Sequence, residues 1–196
     1  MSRIPDAQLK ERILDVALTL LRVHGEAGVT LRAVAKAANT TTPTVYKRFR
    51  DKATLLLALA MRERDRYVER QSRKTSLESA ASGYLDWAIR HPHEYGLIYG
   101  SQWPKVFSEK TGRPGLRWTQ EQFAARYGGK SEDYEEVVSA LWLLLHGTAS
   151  LLIQDHANTT ARYVREKCLK AAEQIIANAG LLSKRRRRSL KSESNR

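Results

Sequence analysis

The sequence predicts an all-α protein in which an N-terminal three-helix unit precedes a larger helical domain. Three observations lead to this prediction. Apolar residues recur at helical spacing along most of the 196 residues. No segment shows the alternation of apolar and polar residues that is typical of a half-buried strand. Glycine, proline and capping residues divide the chain at intervals that suit helices joined by short connections.

Four helices are predicted in the N-terminal part, at about residues 6–24, 31–38, 43–49 and 52–74. Gly25 is expected to end the first helix, because glycine readily adopts the left-handed conformation found after helix C-termini. Thr30 and Asp51 are expected to cap the second and fourth helices, and Pro43 fits the first turn of the third. The first three helices together can close one apolar core, since two short helices joined by a tight turn bury too little alone.

The remaining helices are predicted by the same signals. They cover about residues 76–90, a short segment opened by Pro92, and residues 116–127, 131–156 and 160–179, with a loop over 100–115. Gly128-Gly129 and Gly180 are expected to stop the helices before them. The predicted organisation is a helix-turn-helix domain over 1–52, a helical domain over 53–182 and a basic, disordered tail over 183–196.

Positive charge is concentrated at the two ends of the chain, whose net charge is +13. Residues 1–50 contain nine basic and four acidic residues, and residues 183–196 contain seven basic and one acidic residue. The 132 residues between them are close to neutral. This distribution favours contact with a polyanion, although the basic run 184–188 is also typical of a solvated chain end.

Several classes of protein are not expected. The first residues lack the apolar core of a secretory signal, and the longest apolar run, over 140–153, is shorter than a membrane span. The single cysteine, Cys168, cannot form an internal disulfide, so a cytoplasmic location without membrane contact is predicted. His91 and His93 beside Glu94 lack further ligands, and no phosphate loop or catalytic motif is found. We therefore expect no metal, no cofactor and no enzyme activity.

The most informative segment is 30–56, TLRAVAKAANTTTPTVYKRFRDKATLL. Val45 and Phe49 are four residues apart, so both can point into the core from one face of the third helix. The residues left on the exposed side are Thr42, Thr44, Tyr46, Lys47 and Arg48. In a helix-turn-helix, the second helix of the motif enters the major groove of DNA.

The exposed side chains suit contact with DNA. Threonine hydroxyls and methyls can contact base edges, and the Tyr46 phenol can bond a phosphate. Lys47, Arg48 and Lys52 offer positive charge to the DNA backbone. Thr30 stands at a helix start, where free backbone N–H groups favour a phosphate. The alternative is that Lys47 and Arg48 are solvated surface residues.

Residues 10–60 resemble the TetR family of bacterial regulators. An alanine-rich helix, a turn and a short helix ending in Tyr-x-x-Phe stand in register with Asp51-Lys52 and Leu55-Leu56. The resemblance implies DNA contacts by Thr30, Thr41, Thr42, Thr44, Tyr46, Lys47 and Lys52. Asn39 and Thr40 depart from the family's usual glycine and small apolar residue at the turn. Asparagine nevertheless tolerates a left-handed backbone.

The resemblance also implies an all-helical ligand domain, a homodimer and repression that a ligand relieves. The two last long helices are the predicted interface, because their apolar residues cover more than one face. These residues are Leu141, Leu144, Leu145, Thr148, Leu151, Leu152 and Gln154, then Tyr163, Cys168, Leu169, Ala172, Ile175 and Ile176. The alternative is that both helices only complete the core of one chain. The run 142–147 also resembles a Trp-His-Gly signature of one TetR subgroup.

Aromatic residues are concentrated between positions 84 and 142, including all four tryptophans. Apolar pockets with a few polar groups bind small organic molecules, so an apolar or aromatic effector is predicted. Its candidate contacts are Tyr84, Trp87, Tyr99, Trp103, Phe123, Trp142 and His146. The alternatives are that these rings form core only, or that the chain is a small-molecule-binding helical protein or a helical enzyme without operator specificity.

Overall fold

The computed structural model describes residues 6–100, 102–108, 110–154 and 159–193, with side chains described for 8–183 within these ranges. All regular structure in the described residues is helical, which confirms the predicted fold class. The chain folds as two compact units. The first unit contains the chain up to Tyr67 together with His91–Gly112, and the second contains Val68–Arg90 and the chain from Arg113 onward.

The helices follow one another with short connections. In chain order they are α1 Asp6–Gly28, α2 Leu31–Ala37, α3 Thr42–Tyr46, α4 Lys52–Ser72, α5 Leu77–Arg90, α6 Pro92–Tyr99, α7 Trp103–Val106, α8 Pro114–Tyr127, a 3-10 turn Ser131–Tyr134, α9 Glu135–Gln154 and α10 Thr159–Glu193. The expected caps are present, because Thr30 accepts a hydrogen bond from Ala33 N and Asp51 accepts one from Thr54 N.

The first unit contains the three-helix core that the sequence predicts. α1 packs against α2, and α2 packs against α3. The helical spacing predicts that Leu20 faces inward with the other apolar residues of α1, but Leu20 is only half-buried. The other side chains predicted to face inward are buried, namely Ile13, Leu14, Ala17, Leu18 and Leu21 on α1 and Leu31, Val34, Val45, Phe49 and Leu55 beyond it. Burial of each large apolar side chain contributes about 1.5–3 kcal/mol. This cluster therefore stabilises two helices that are too short to fold alone.

The two units divide the chain differently from the predicted domains 1–52 and 53–182. The first part of α4 and the segment His91–Gly112, which contains α6 and α7, belong to the same unit as the helix-turn-helix. Sequence periodicity locates helices but does not identify the partners against which they pack. The functional domain boundaries remain a prediction.

Two of the glycines predicted to stop helices behave differently from each other. Gly25 has φ 63° and a non-helical backbone, so the helix is interrupted there as predicted, and a short helical segment continues beyond this kink to Gly28. Gly180 lies inside α10, where a Cβ atom would stand 3.1 Å from Tyr127 Cδ1. The Tyr127 hydroxyl also donates a 2.7 Å hydrogen bond to the carbonyl oxygen of Ile176. Gly180 therefore permits close packing against Tyr127, and the helix continues.

α10 also continues where the sequence predicts a disordered tail. The helix extends through the basic run to Glu193. Arginine and lysine are good helix formers, which favours this extension over the irregular chain expected for 183–196. Residues 194–196, and the predicted end of the preceding helix at 155–156, lie outside the described residues.

The second unit has a core of its own, in which α5, α8, α9 and α10 pack together. Leu85, Phe123, Tyr134 and Ile176 are fully buried there. Tyr134 stacks on Phe123 with 5.6 Å between the ring centroids, and its hydroxyl donates a 2.6 Å hydrogen bond to the carbonyl oxygen of Gly128. Because the phenol has a partner, the whole ring can be buried without a polar penalty.

The most apolar stretch of the chain is part of this second core. Residues 131–154 are long and apolar enough to cross a membrane by length and composition alone, which corrects the shorter estimate made from 140–153. α9 nevertheless packs against α5 and α10, and this packing accounts for the buried part of its apolar surface. A core helix passes the same test of length and composition as a membrane span.

Burial within the second unit also corrects part of the predicted interface between chains. Seven of the residues that the sequence assigns to that interface are buried inside the single chain. They are Leu141, Leu145, Thr148, Leu152, Cys168, Ala172 and Ile176. They complete the core of their own unit and are not available to a partner. Burial also raises the pKa of the Cys168 thiol, as expected for a cysteine inside a helical core.

Candidate nucleic-acid interface

The start of α2 is organised by a threonine at its N-terminus. The amide of Ala33 donates a 3.1 Å hydrogen bond to the Thr30 hydroxyl oxygen. Thr30 is exposed, so its side chain lies at the surface together with the first amides of the helix. Free amides and the helix dipole at such a position favour an anionic oxygen.

A tight turn joins α2 to α3. The amide of Thr40 donates to the carbonyl of Ala35 at 3.0 Å, and the amide of Asn39 donates to the carbonyl of Lys36 at 3.2 Å. Asn39 has φ 47°, in the left-handed region. These bonds form a Schellman motif, which requires a left-handed residue at this position. The expectation that asparagine replaces glycine in this conformation is confirmed.

Substitutions at Asn39 should show whether backbone strain at this position limits the stability of the protein. We expect Asn39→Gly to keep or slightly raise stability, because glycine adopts a positive φ without strain. Asn39→Val should lower the free energy of unfolding by about 1–2 kcal/mol, because a β-branched residue is strained there. Urea denaturation followed by circular dichroism measures both variants. Equal stability of the two variants would contradict this account of the turn.

Two threonines stabilise the N-terminal end of α3, namely Thr41 just before the helix and Thr44 within it. Thr41 caps the helix, because its hydroxyl oxygen accepts a 3.3 Å hydrogen bond from the Thr44 amide. The two hydroxyl groups lie 2.8 Å apart. Both hydroxyls are thus hydrogen-bonded in the protein alone, and a base or phosphate would have to share or replace that bond. The sequence predicts contact with DNA at these residues but does not reveal the capping role of Thr41.

The surface side of α3 carries the residues expected to contact DNA. Tyr46 is 53% exposed and Lys47 is exposed, whereas Val45 and Phe49 are buried behind them. Thr42 lies half-buried at the start of the helix. The arrangement in which two apolar residues anchor a helix and the polar residues face outward is therefore present as predicted.

The basic side chains near α3 differ in their surroundings. Lys52 Nζ donates a 2.6 Å hydrogen bond to the carbonyl oxygen of Glu26 at the end of α1. Arg48 Nη1 donates a 3.1 Å hydrogen bond to the carbonyl oxygen of Thr44. Lys47 is the most available cation of the three, since it is exposed and no such bond is found for it within the described residues.

Asp51 is the acidic residue nearest to this surface in the sequence, and it is engaged elsewhere. Its carboxylate accepts hydrogen bonds from the amide and the hydroxyl of Thr54, at 2.7 and 2.8 Å. These bonds lower the pKa of Asp51 below its ordinary value. Its charge stabilises the N-terminus of α4, where the helix dipole favours an anion.

Sequence reasoning overlooked two basic residues on α2. Arg32 and Lys36 are exposed and four residues apart, so they lie on one side of the helix. The signal that could have found them is charge composition, because residues 30–50 contain five basic and no acidic residues. A surface of one sign across both helices is the electrostatic pattern of a nucleic-acid interface.

The residues predicted to contact an effector are divided between the two units. Tyr99 and Trp103 lie in the first unit, in a cluster with Tyr95 and Phe107 whose ring centroids are 4.4–5.7 Å apart. The remaining five lie in the second unit, namely Tyr84, Trp87, Phe123, Trp142 and His146. Of these, Phe123 is fully buried between neighbouring rings and serves as core.

Three of the second-unit residues contact one another. The Tyr84 hydroxyl lies 3.3 Å from His146 Nδ1, and the Trp142 ring stacks on the imidazole with 4.9 Å between centroids. Burial lowers the pKa of His146, so the neutral imidazole is favoured at neutral pH. The group therefore combines aromatic surface with an uncharged polar centre.

The structure also contains a polar cavity that the sequence does not suggest. Its volume is about 520 Å³, and it lies in the second unit beside α8, the 3-10 turn and α9. Arg113 and Arg117 line it together with Glu132 and Glu135. Its lining is charged, unlike the apolar pocket expected for the effector.

The possible metal ligands noted in the sequence are not arranged as a metal site. Among the described residues, no group of three or more His, Cys, Asp or Glu side chains could hold a metal ion. His91 instead lies with its Nδ1 atom 3.4 Å from the carboxylate of Glu94.

The geometry of α2, the turn and α3 defines a helix-turn-helix DNA-binding protein. Residues 13–59 match the family model described as bacterial regulatory proteins of the tetR family. Residues 77–172 match the model described as a tetracyclin repressor-like C-terminal domain. The chain belongs to the TetR family of bacterial transcriptional regulators, as the motif between residues 10 and 60 predicted.

A curated relative supports the N-terminal assignment. It is described as an uncharacterized HTH-type transcriptional regulator in the dhlA 5′ region of Xanthobacter autotrophicus, and it is 47% identical over 60 residues. The match covers 31% of this chain and 28% of the relative, so it spans less than a third of that protein.

Solved structures show the same fold over nearly the whole chain. A tetR-family transcriptional regulator from Streptomyces coelicolor has a TM-score of 0.67 at 22% identity, covering 93% of this chain and 89% of its own. A protein of unknown function from Rhodococcus sp. RHA1 has a TM-score of 0.64 at 23% identity, covering 87% and 94%. At these identities the likeness concerns the fold.

Proposed function

We propose that the chain is a repressor that binds a two-fold operator in double-stranded DNA as a homodimer, and that a small apolar or aromatic effector lowers its DNA affinity. The observation that carries this proposal is the surface of α2 and α3, with exposed Tyr46 and Lys47 backed by buried Val45 and Phe49. One recognition helix reads one half-site, so a second copy supplies the other.

An exposed apolar face on the last two helices supports the homodimer. Leu143 and Leu151 on α9 are each 61% exposed, and Tyr163 on α10 is 60% exposed. Ala140 and Gly147 lie on the same side of α9, and both are exposed. Small residues beside exposed leucines permit close approach of a second helix. Exposed leucines in one stripe are typical of a surface that a partner covers.

The group formed by Tyr84, Trp142 and His146 supports an aromatic effector. Two aromatic rings contact one neutral imidazole, and small organic molecules bind to apolar surfaces with few polar groups. Coupling between effector and DNA of about 1–3 kcal/mol changes operator affinity 5- to 150-fold. A ligand screen by thermal shift, repeated with Trp142→Ala, tests this group, and an effector that stabilises both proteins equally would exclude it.

Operator binding is tested by selecting duplexes from a random pool with the full chain. We expect a two-fold sequence, bound with an affinity that falls steeply with salt. Lys47→Ala should weaken binding and reduce the slope of log K against log salt by about 1.8, because each subunit of the proposed dimer loses one phosphate contact of about 0.9. Gel shifts over a series of salt concentrations measure both effects.

A matched control is Lys130→Ala, which removes an exposed lysine from the second unit. We expect this variant to keep the salt slope of the wild-type chain. If no duplex is enriched, or if both lysine variants behave alike, the operator proposal is wrong. A helical protein without operator specificity then becomes the better interpretation.

A further inference from the structure

Glu94 on α6 is a buried carboxylate with an arginine partner on α1. The residue is only 3% exposed, and both Nε and Nη2 of Arg22 contact its Oε1 atom, at 2.7 and 2.6 Å. His91, at the start of the same helix, lies 3.4 Å from that oxygen. The two partners are 72 residues apart in sequence, and both belong to the first unit.

The ion pair joins two helices that also share apolar packing. α1 packs against α6, which buries Tyr95, Leu97 and Ile98. An apolar contact alone permits small shifts of one helix along the other, because it is not directional. The Glu94 carboxylate is buried, whereas the Arg22 side chain is half-exposed. Their short hydrogen bonds fix the register of the two helices, since displacement would leave the buried carboxylate without its arginine.

The same segment is attached to α4 by a second arginine. Arg64 is buried, and its Nη1 atom donates a 2.6 Å hydrogen bond to the carbonyl oxygen of Val106 at the end of α7. Its guanidinium also lies 5.9 Å from the centre of the Phe107 ring. α6 and α7 are therefore connected to the helices on both sides of the helix-turn-helix motif.

We propose that Arg22 and Glu94 are positioning residues for operator binding. α1 contributes Ile13, Ala17 and Leu21 to the core beneath the helix-turn-helix motif. An ion pair that fixes the position of α1 therefore also limits the movement of α2 and α3, which belong to the same core. Neither residue contacts DNA in this proposal. The pair raises the fraction of molecules in which α1, α2 and α3 (the DNA-binding head) have the arrangement that binds DNA. The apparent affinity for the operator is proportional to that fraction.

The proposal rests on the proposed operator binding and is tested on the duplex selected with the wild-type chain. Three full-length variants are compared: Arg22→Gln, Glu94→Gln and the double variant. Arg22→Gln leaves a buried carboxylate without its arginine, so its melting temperature should fall most. The double variant removes both charges and should regain most of that loss, because replacement of both partners costs less than removal of one.

Operator affinity distinguishes positioning from a general effect on stability. We expect both single variants and the double variant to bind the duplex about tenfold more weakly. Amide hydrogen exchange of α6 should become faster in all three variants. If the double variant regains operator affinity together with its melting temperature, the pair acts through stability alone and the proposal is overturned. Unchanged affinity in the single variants overturns it as well.

A matched control comes from the second unit. Arg126 and Glu78 form an ion pair of the same length, 2.6 Å. We expect Arg126→Gln to keep operator affinity within about twofold of the wild-type chain. An equal loss of affinity in this control overturns the positioning role. Failure of the wild-type chain to bind any selected duplex is a separate result, which overturns the proposed function itself.

Discussion

Replacement of Phe49 by alanine should unfold the DNA-binding head of this regulator. The ring is only 2% exposed and lies behind α3 in the core of the first unit. Loss of a buried phenylalanine costs about 3–5 kcal/mol, because apolar burial is lost and a cavity remains. α3 has only five residues, so it has little stability apart from this packing. Urea denaturation and hydrogen exchange of residues 30–50 measure the effect.

Tyr46→Ala is the matched control for Phe49→Ala. It removes another aromatic ring, three residues earlier at the end of α3, but one that is 53% exposed. We expect its free energy of unfolding to stay within about 0.5 kcal/mol of the wild-type value, as is usual for surface positions. Operator binding should nevertheless weaken, because we propose that the exposed phenol contacts a phosphate. If Tyr46→Ala destabilises the head as much as Phe49→Ala, the assignment of inner and outer faces is wrong.

Leu151→Glu should separate the proposed homodimer into monomers. The side chain is 61% exposed on α9 in the single chain, so a charge there does not disturb the monomer core. In a dimer the same charge would be buried without a partner, at a cost of several kcal/mol. Loss of the second head should reduce operator affinity on the order of 100-fold, because binding by two connected heads is lost. Light scattering and gel shifts measure the two effects.

Two further variants make the dimer test specific. Leu143→Glu changes a second exposed leucine on the same helix and should have the same effect. Val23→Glu changes an exposed apolar residue on α1 and should leave the oligomeric state unchanged. A wild-type chain that is monomeric at micromolar concentration would contradict the dimer proposal. So would a Leu151→Glu protein that remains dimeric with a normal circular dichroism spectrum.

Local signals in the sequence predicted the parts of the interface that depend on near neighbours. Thr30 and Asp51 cap their helices through bonds to amides three residues away. Val45 and Phe49 are buried together because one helical turn separates them. Asn39 adopts the left-handed conformation because asparagine tolerates a positive φ better than most residues. Each of these features is decided within one or two helical turns, so the order of residues is sufficient to predict it.

Other features could not be read from residue order. Lys52 is predicted to offer its charge to the DNA backbone, and the sequence gives no sign that its Nζ atom also bonds to the carbonyl oxygen of Glu26, which is 26 residues away. Leu145 and Leu151 belong to the same apolar pattern on α9, but one is buried in the core of its unit and the other is exposed. A helical stripe shows that a face is apolar, but not whether the same chain or another copy covers it.

The sequence by itself determined the helical class and the helix-turn-helix motif, because caps, turns and helical spacing are short-range properties, and its residues 10–60 carried the resemblance to the TetR family. Only the tertiary structure decided that α6 and α7 belong with the DNA-binding head and that Glu94 is buried against Arg22. It also decided which leucines remain at the surface. These features depend on the packing of helices far apart in the chain, where burial and partner charge are properties of the assembled core.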